Sequence, residues 1–299
     1  MTCGKTFKGD EEMKYVIAFL TVVLSFCLAT AQDKPKDVVD KLLDSACTIR
    51  AGRAQGSGVI IKRGDTNFVW TAAHVIEDLR KAREVIDPKT GGKKFIITFD
   101  TVNVVTEFIH DGERVEERSL VADVVRYSNA NDGEDLALLK IRKKNAFSDG
   151  AVFYLDDKPP RIGSRVINVG SPLGFFGHNT YVSGDLSALS RVYENKIYDQ
   201  VSSSTFGGCS GSGVYLTDGR YIGMLVRGSG ETFSLIVPMR RIQEWSKKIN
   251  IEWALDPKIK LPPEDDLKKM PVEDVHGISL EKVGPTQKQL YPFLIKYLD

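Results

Sequence analysis

A short stretch near residue 210 combines nucleophilic side chains with glycine. The stretch is FGGCSGSGV, residues 206–214, in which four glycines surround one cysteine and two serines. A serine or cysteine nucleophile needs a neighbouring base and backbone N–H groups aimed where oxyanion charge develops. Glycines permit the tight backbone path that aims such groups, although Gly/Ser-rich stretches are usually turns. These residues alone leave Cys209, Ser210 and Ser212 open as candidate nucleophiles.

Two other segments could supply a base and its orienting acid. His74 ends a β-rich run in the motif TAAHV, and Asp135 opens the apolar run DLALLKI. An ionised carboxylate is costly in such a run unless it is paired or hydrogen-bonded. Considered alone, His74 would be interpreted as a structural histidine and Asp135 as a turn aspartate. Together with a glycine-flanked serine further along the chain, they predict a His, Asp, Ser set for acyl transfer.

The elements that must position these residues are mostly short strands. From Cys47 onward the chain alternates β-rich runs with turn signals, and the pair Asp111-Gly112 between β-branched segments predicts a hairpin. Convincing helical spacing occurs only over residues 239–249, where one face carries Met239, Ile242, Trp245 and Ile249. Many strands and one terminal helix predict an all-β barrel or sandwich. The charged segment 77–94 is expected to be a solvated insertion, or a cover over one side of the cleft.

Composition narrows the possible function classes. The 299-residue chain is 42% hydrophobic and 27% charged, which is ordinary for a soluble globular protein. Its net charge of +1 argues against a nucleic-acid binder. The four cysteines form no CxxC or Cys/His cluster, so no structural zinc site is expected.

The N-terminus has the pattern of an export signal. Lys14 precedes an apolar run over residues 15–28, and Ala29-Thr30-Ala31 provides a small-x-small cleavage site. The run is shorter than the roughly 20 residues of a spanning helix, so no stable membrane anchor is expected. Acidic residues before Met13 suggest that Met13 is the true start. The prediction is an exported protein, periplasmic or secreted, with signal peptide 1–31.

Signal cleavage would leave two cysteines in the mature chain. These are Cys47 and Cys209, which we expect to be free buried thiols, with a disulfide as the alternative.

Beyond these local patterns, the chain resembles the trypsin-like (chymotrypsin-fold) serine peptidases. The resemblance is strongest to the bacterial branch that includes the HtrA/Deg and glutamyl-endopeptidase types, and it spans roughly residues 47–249. The motifs that carry it are GSGVIIK, TAAHV, DLALLKI, VGSPLG, VSGDLSALSR, GCSGSGV and YIGMLVRG. It implies two antiparallel β-barrels of the chymotrypsin type, at about 45–150 and 160–238, followed by a C-terminal helix at 239–249.

The resemblance also implies a role for each site residue. The family pattern Gly-x-Ser-Gly fits only Ser210, between Gly208 and Gly211. His74 would then be the general base and Asp135 its orienting acid. The N–H groups of Gly208 and Ser210 would form the oxyanion hole. No metal or cofactor is implied.

Substrate-binding positions follow from the same resemblance. They are Ser204, Leu225, Val226, Arg227, Gly228 and Ser234. Because Ser204 stands where Lys/Arg-specific relatives carry an acid, and Leu225 where glutamyl-specific relatives carry a histidine, a small or medium neutral P1 side chain is expected. The expected partners are protein or peptide substrates.

The expected domain boundaries place the peptidase domain before a C-terminal tail. A peptidase domain over residues 32–250 would be followed by a linker and tail at 251–299, too short for the PDZ domain that HtrA-type relatives append. A catalytically silent binding or scaffold protein on the same fold is the main alternative. An esterase-like hydrolase ranks last, because GCSGSGV precedes a strand rather than a helix.

Overall fold

The computed structural model describes residues 37–86, 88, 91–110, 113–229 and 232–274. The predicted signal at 1–31, the start at Met13 and residues 275–299 of the predicted tail lie outside these ranges. So does the Asp111-Gly112 turn. The strands beside that turn nevertheless pair with His110 opposite Glu113, which confirms the predicted hairpin.

The first half of the fold is a closed six-stranded antiparallel barrel preceded by a short helix. The elements are α1 (Val38–Ser45), β1 (Ala46–Ala51), β2 (Ala54–Arg63), β3 (Thr66–Thr71), β4 (Arg80–Ile86), β5 (Lys93–Phe99), β6 (Val102–His110), β7 (Glu113–Ser128) and β8 (Leu136–Ile141). The barrel has the order β7-β6-β1-β2-β3-β8. It closes because the long strand β7 pairs with both β6 and β8.

Strands β4 and β5 form a separate two-stranded sheet inserted between β3 and β6. Residues 80–86 of the charged segment 77–94 form β4, in which Arg80 lies opposite Phe99 and Ile86 opposite Lys93. Most side chains of β4 are exposed. Because β4 lacks the apolar alternation that marks a half-buried strand, the sequence pattern did not reveal it.

The second half repeats the closed-barrel plan. Its strands are β9 (Val152–Phe153), β10 (Arg165–Gly170), β11 (Thr180–Tyr193), β12 (Lys196–Val201), β13 (Gly213–Leu216), β14 (Arg220–Ser229) and β15 (Phe233–Pro238). The order is β13-β10-β11-β12-β15-β14, and pairing of β13 with β14 closes the ring. Strand β9 adds to β14 in parallel. The predicted all-β fold with two barrels and a C-terminal helix is thus confirmed.

The remaining elements pack against the first barrel. They are α2 (Met239–Lys248), α3 (Glu264–Lys269) and β16 (Glu273–Asp274). Helix α2 confirms the predicted helix, and its Trp245 lies edge-on to Trp70 of β3, with ring centroids 6.0 Å apart. The segment expected to be only a linker and tail thus contains ordered elements.

The end of this segment is tied down by several contacts. Strand β16 pairs in parallel with β7, and the Tyr127 N–H donates to the Val272 carbonyl at 2.7 Å. Glu273 receives two hydrogen bonds from Arg80, and Asp274 receives one from the Trp245 indole.

The apolar core consists of two clusters. The larger fills the first barrel and continues into α2 and part of the second barrel, including Tyr215 and Met224, and the smaller lies within the second barrel. Cys47 belongs to the larger cluster and Cys209 to the smaller, and both are free thiols, as expected. Within the described residues, no helix has the length and apolar character needed to cross a membrane.

A buried ion pair joins α2 to the turn before β8. The Arg241 Nε atom donates to Glu134 Oε2 at 2.6 Å, and Nη2 donates to the Glu134 carbonyl at 2.9 Å. A third hydrogen bond runs from Nη1 to the Ile197 carbonyl. The side chains of Arg241 and Glu134 are only 7% and 1% exposed, so each charge depends on its partner.

We expect Arg241→Met to lower the free energy of unfolding by about 3–5 kcal/mol, because it removes the guanidinium that neutralises the buried Glu134 carboxylate. Urea denaturation measures the change. Arg142→Met is the control, since Arg142 pairs with Asp123 at the surface and its loss should change stability little. Equal effects of the two substitutions would contradict the assignment of a structural role to the buried pair.

Candidate active site

His74 and Asp135 meet directly. His74 lies in a 3₁₀ turn, Ala73–Val75, just after β3, and Asp135 immediately precedes β8. The His74 Nδ1 atom is 2.9 Å from Asp135 Oδ2 and 3.0 Å from Oδ1. The His74 backbone N–H also donates to Oδ1 at 3.0 Å. The Asp135 carboxylate therefore binds both the Nδ1 atom and the backbone N–H of His74.

The backbone at Asp135 has an unusual conformation. Its φ angle is +57°, in the left-handed region that aspartate tolerates better than most residues. The preceding turn is fixed by the Glu134 N–H donating to Ser128 Oγ at 2.7 Å. Strand β8 continues directly from this turn, so the carboxylate is presented at the strand's first residue.

Burial and charge act in opposite directions on Asp135. Its side chain is only 1% exposed, and burial alone would raise the pKa of the carboxyl group. The charges and hydrogen bonds of His74 and Arg227 outweigh burial, so the pKa of Asp135 lies below its usual value. Asp135 is therefore an ionised buried carboxylate at neutral pH.

Ser210 lies next to the turn that carries His74. The Ser57 N–H donates to the Ser210 carbonyl at 2.7 Å. A Cβ atom placed on Gly56 would be 3.0 Å from that carbonyl oxygen and 2.6 Å from the Val75 side chain, so Ser210 and the residue after His74 flank the same glycine. Within the described part of the chain, the Ser210 hydroxyl makes no hydrogen bond, to His74 or to any other residue.

The glycines beside Ser210 are required by close packing. Gly211 has a φ angle of +90°, and a Cβ atom there would run into the Ser57 carbonyl and lie 2.6 Å from Thr71 Oγ1. Gly208 has a φ angle of +98° and packs against the backbone of Ser171. A side chain at Gly211 would push the loop away from the first barrel, and one at Gly208 would push it away from the connection between β10 and β11.

Two backbone N–H groups of this loop are available. The Gly207 carbonyl accepts from Leu173 N–H at 2.6 Å, and the Cys209 carbonyl accepts from Ser212 N–H at 2.9 Å. In a trans peptide the N–H points opposite to the carbonyl, so the N–H groups of Gly208 and Ser210 point away from these partners. Among the described residues neither N–H has an acceptor.

The other two candidate nucleophiles are packed inside the protein. Cys209 is 3% exposed in the second core cluster, and burial raises the pKa of its thiol, which disfavours the reactive thiolate. Ser212 is fully buried, and its Oγ accepts a hydrogen bond from the Asn168 amide at 2.7 Å. Of the three, Ser210 alone is partly exposed.

The predicted substrate-binding residues occupy different environments. Leu225 and Val226 have buried side chains in the core clusters, whereas Ser204 is partly exposed. Gly228 lies opposite Ser234 in the pairing of β14 with β15.

Thr205 also belongs to this region, although sequence reasoning did not single it out. Its Oγ1 atom lies where a Cβ atom of Gly228 would be, and it is 3.2 Å from Ser234 Oγ. Ser234 Oγ in turn donates to the Ser203 carbonyl at 2.8 Å.

Arg227 makes a contact that sequence reasoning missed. Its Nη1 atom donates to Asp135 Oδ2 at 3.1 Å and to the Val226 carbonyl at 3.0 Å. The available signal was a single charge after the apolar run YIGMLV, because a charge at the end of such a strand needs a partner.

We expect Asp135→Asn to destabilise the protein more at pH 5 than at pH 3. The folded pKa of Asp135 is depressed relative to an unfolded value of about 3.9, so its stabilising contribution is complete above that value and is lost as the pH falls through the folded pKa. Urea denaturation of both proteins across this range measures the difference. A difference that stays constant from pH 5 to pH 3 would contradict the electrostatic account.

Comparisons with known proteins identify the family of the chain. Residues 56–224 match the family model of the trypsin-like peptidase domain. A curated "Serine protease HtrA-like" protein of Staphylococcus haemolyticus is 24% identical over 277 residues, which cover 84% of this chain and 38% of that protein. The chain thus spans well under half the length of this relative.

Solved structures show the same fold. A serine endoprotease from Yersinia pestis superposes with a TM-score of 0.51 at 20% identity, covering 72% of this chain and 67% of that one. An HtrA-type protease with a tripeptide gives a TM-score of 0.51 at 19% identity, covering 72% and 62%. Because the family model covers more than half of the sequence, the chain belongs to the trypsin-like peptidase domain family.

Proposed function

We propose that the protein is a serine endopeptidase that hydrolyses peptide bonds through Ser210, His74 and Asp135. The observation that carries the proposal is the contact of the His74 ring with the buried Asp135 carboxylate. This carboxylate accepts the Nδ1 proton, so the lone pair of the neutral imidazole is on Nε2. An imidazole in this tautomer is the general base that a serine nucleophile requires.

The chemistry follows the arrangement of these groups. His74 Nε2 takes the proton from the Ser210 hydroxyl as its oxygen attacks the scissile carbonyl, and then delivers that proton to the leaving amine. Asp135 orients the ring and stabilises the imidazolium that forms. Water, deprotonated by the same imidazole, then hydrolyses the acyl-enzyme. The single open step is closure of the Ser210 hydroxyl onto His74, and catalytic hydrogen bonds of this kind are often long in unliganded proteins.

The N–H groups of Gly208 and Ser210 would bind the oxyanion. These N–H groups have no acceptor among the described residues, which supports this role, because the donors of an oxyanion hole must be free to bind the substrate oxygen. Such a donor is worth on the order of 3 kcal/mol in the transition state. For the specificity pocket, neutral residues such as Ser204, Thr205 and Ser234 support a small or medium neutral P1 side chain.

A fluorophosphonate probe tests the nucleophile. We expect it to label the wild-type protein on the peptide containing Ser210, and we expect Ser210→Ala to abolish both labelling and release of peptides from denatured casein. Mass spectrometry of the digested adduct locates the label.

Two neighbouring substitutions serve as matched controls. Ser212→Ala and Cys209→Ala each remove a nucleophile within two residues of Ser210, and both should retain labelling. A wild-type protein that folds but takes no label would favour the alternative, a silent binding or scaffold protein. Labelling lost in Cys209→Ala but kept in Ser210→Ala would transfer the nucleophile to Cys209.

We also infer export, which rests on the signal pattern of residues 1–31. N-terminal sequencing of protein secreted by a bacterial host should give Gln32 as the first residue, because cleavage follows Ala31. A mature protein that keeps residues 15–28 would contradict this inference.

A further inference from the structure

We propose that Arg227 is a positioning residue that holds the Asp135 carboxylate against the His74 ring. The inference rests on the proposed function, since it concerns the histidine that acts as base. It assigns Arg227 a role beyond the substrate segment on which it lies.

The direction of the Arg227 side chain results from an irregularity in β14. Leu225 pairs with Ile236 and Arg227 with Leu235, so the register shifts by one residue between them. Such a bulge redirects the side chains that follow it. Here the Arg227 guanidinium reaches from the second barrel to the carboxylate that begins β8 of the first barrel.

The Asp135 carboxylate accepts hydrogen bonds from both His74 and Arg227. Oδ2 lies 2.9 Å from His74 Nδ1 and 3.1 Å from Arg227 Nη1, whereas Oδ1 accepts the His74 backbone N–H. The Arg227 contact therefore holds Oδ2 from the second barrel, in addition to the contacts of the His74 ring with both oxygens. With a side chain only 21% exposed, Arg227 is largely withdrawn from solvent screening.

Arg227 also lies close to the histidine itself. Its Nη1 atom is 3.5 Å from His74 Nδ1, and a guanidinium keeps its charge at every pH at which the protein is folded. A positive charge at this distance disfavours a second proton on the ring, and it also neutralises part of the carboxylate field that favours that proton. Loss of the Arg227 charge should therefore favour the second proton on the ring.

No other described residue contacts Asp135 through a charged side chain. The Asp135 carboxylate interacts with three further titratable side chains by longer-range electrostatics only, namely Tyr127, Lys196 and Tyr198. Lys196 directs its ammonium group to the carbonyls of Ala130 and Asn131. Arg227 is thus the cation whose removal should change the His74–Asp135 pair most directly.

The pH profile of fluorophosphonate inactivation tests the proposal without knowledge of the natural substrate. The acid limb of the second-order rate reports protonation of the base in the free enzyme. We expect Arg227→Met to move this limb upward by about one pH unit, so that well below the limb the variant reacts about tenfold slower than wild type. Arg227→Gln, which keeps a donor without charge, should move the limb in the same direction. Arg227→Lys, which keeps the charge, should leave it near the wild-type position.

Ring NMR gives a second readout that does not depend on activity. In protein with ¹⁵N-labelled histidines, with the His74 signals assigned from His74→Ala, the His74 ring should gain its second proton at higher pH in Arg227→Met than in wild type. Arg142→Met, which removes an equal charge at the surface, should change neither profile.

The outcomes separate this proposal from the proposed function. If Ser210 is labelled and the acid limb is the same in wild type, Arg227→Met and Arg227→Gln, the role of Arg227 is overturned while the peptidase stands. A change confined to the KM for casein, with no shift of the limb, would likewise return Arg227 to a substrate-binding role. If wild-type Ser210 is not labelled, the peptidase proposal fails first, and the NMR titration alone then decides whether Arg227 acts on His74.

Discussion

The buried carboxylate of Asp135 places the strongest constraint on this structure. An ionised group that is 1% exposed must be surrounded by donors, and the donors come from distant parts of the chain. His74 supplies two from the turn after β3, and Arg227 supplies one from β14. The two barrels are therefore joined at this point by charge as well as by apolar packing.

The residue before Asp135 obeys the same constraint. Glu134 is equally buried, and Arg241 of α2 binds both its carboxylate and its carbonyl. Two consecutive acids are thus neutralised by two arginines from the C-terminal half of the chain. The contacts of Arg241 and Arg227 thus help to hold the turn in which the backbone of Asp135 is left-handed.

Much of the fold and part of the site could be predicted from sequence. Strand patterns and turn signals gave the all-β class, and helical spacing identified α2, because both depend on local periodicity. His74 and Asp135 could be paired because the motifs around them, TAAHV and DLALLKI, resemble those of trypsin-like peptidases. The contact of Ser210 with His74 stays a prediction, since the position of a hydroxyl depends on the bound substrate.

Other features depend on information that no local pattern carries. The direction of the Arg227 side chain follows from a one-residue register shift in β14, and register is set by packing across the whole sheet. Thr205 became visible only when β14 placed Gly228 against it. Strand β4 lacks the apolar alternation by which a half-buried strand is recognised.

The two-residue strand β16 has a consequence for how the protein is made. The first barrel leaves the ribosome first. Its Tyr127 N–H donates to the Val272 carbonyl, and its Arg80 side chain donates to the Glu273 carboxylate. Nearly 150 further residues must be translated before these contacts can form. The first-synthesised barrel therefore completes these contacts only after the second barrel and α2 have been translated.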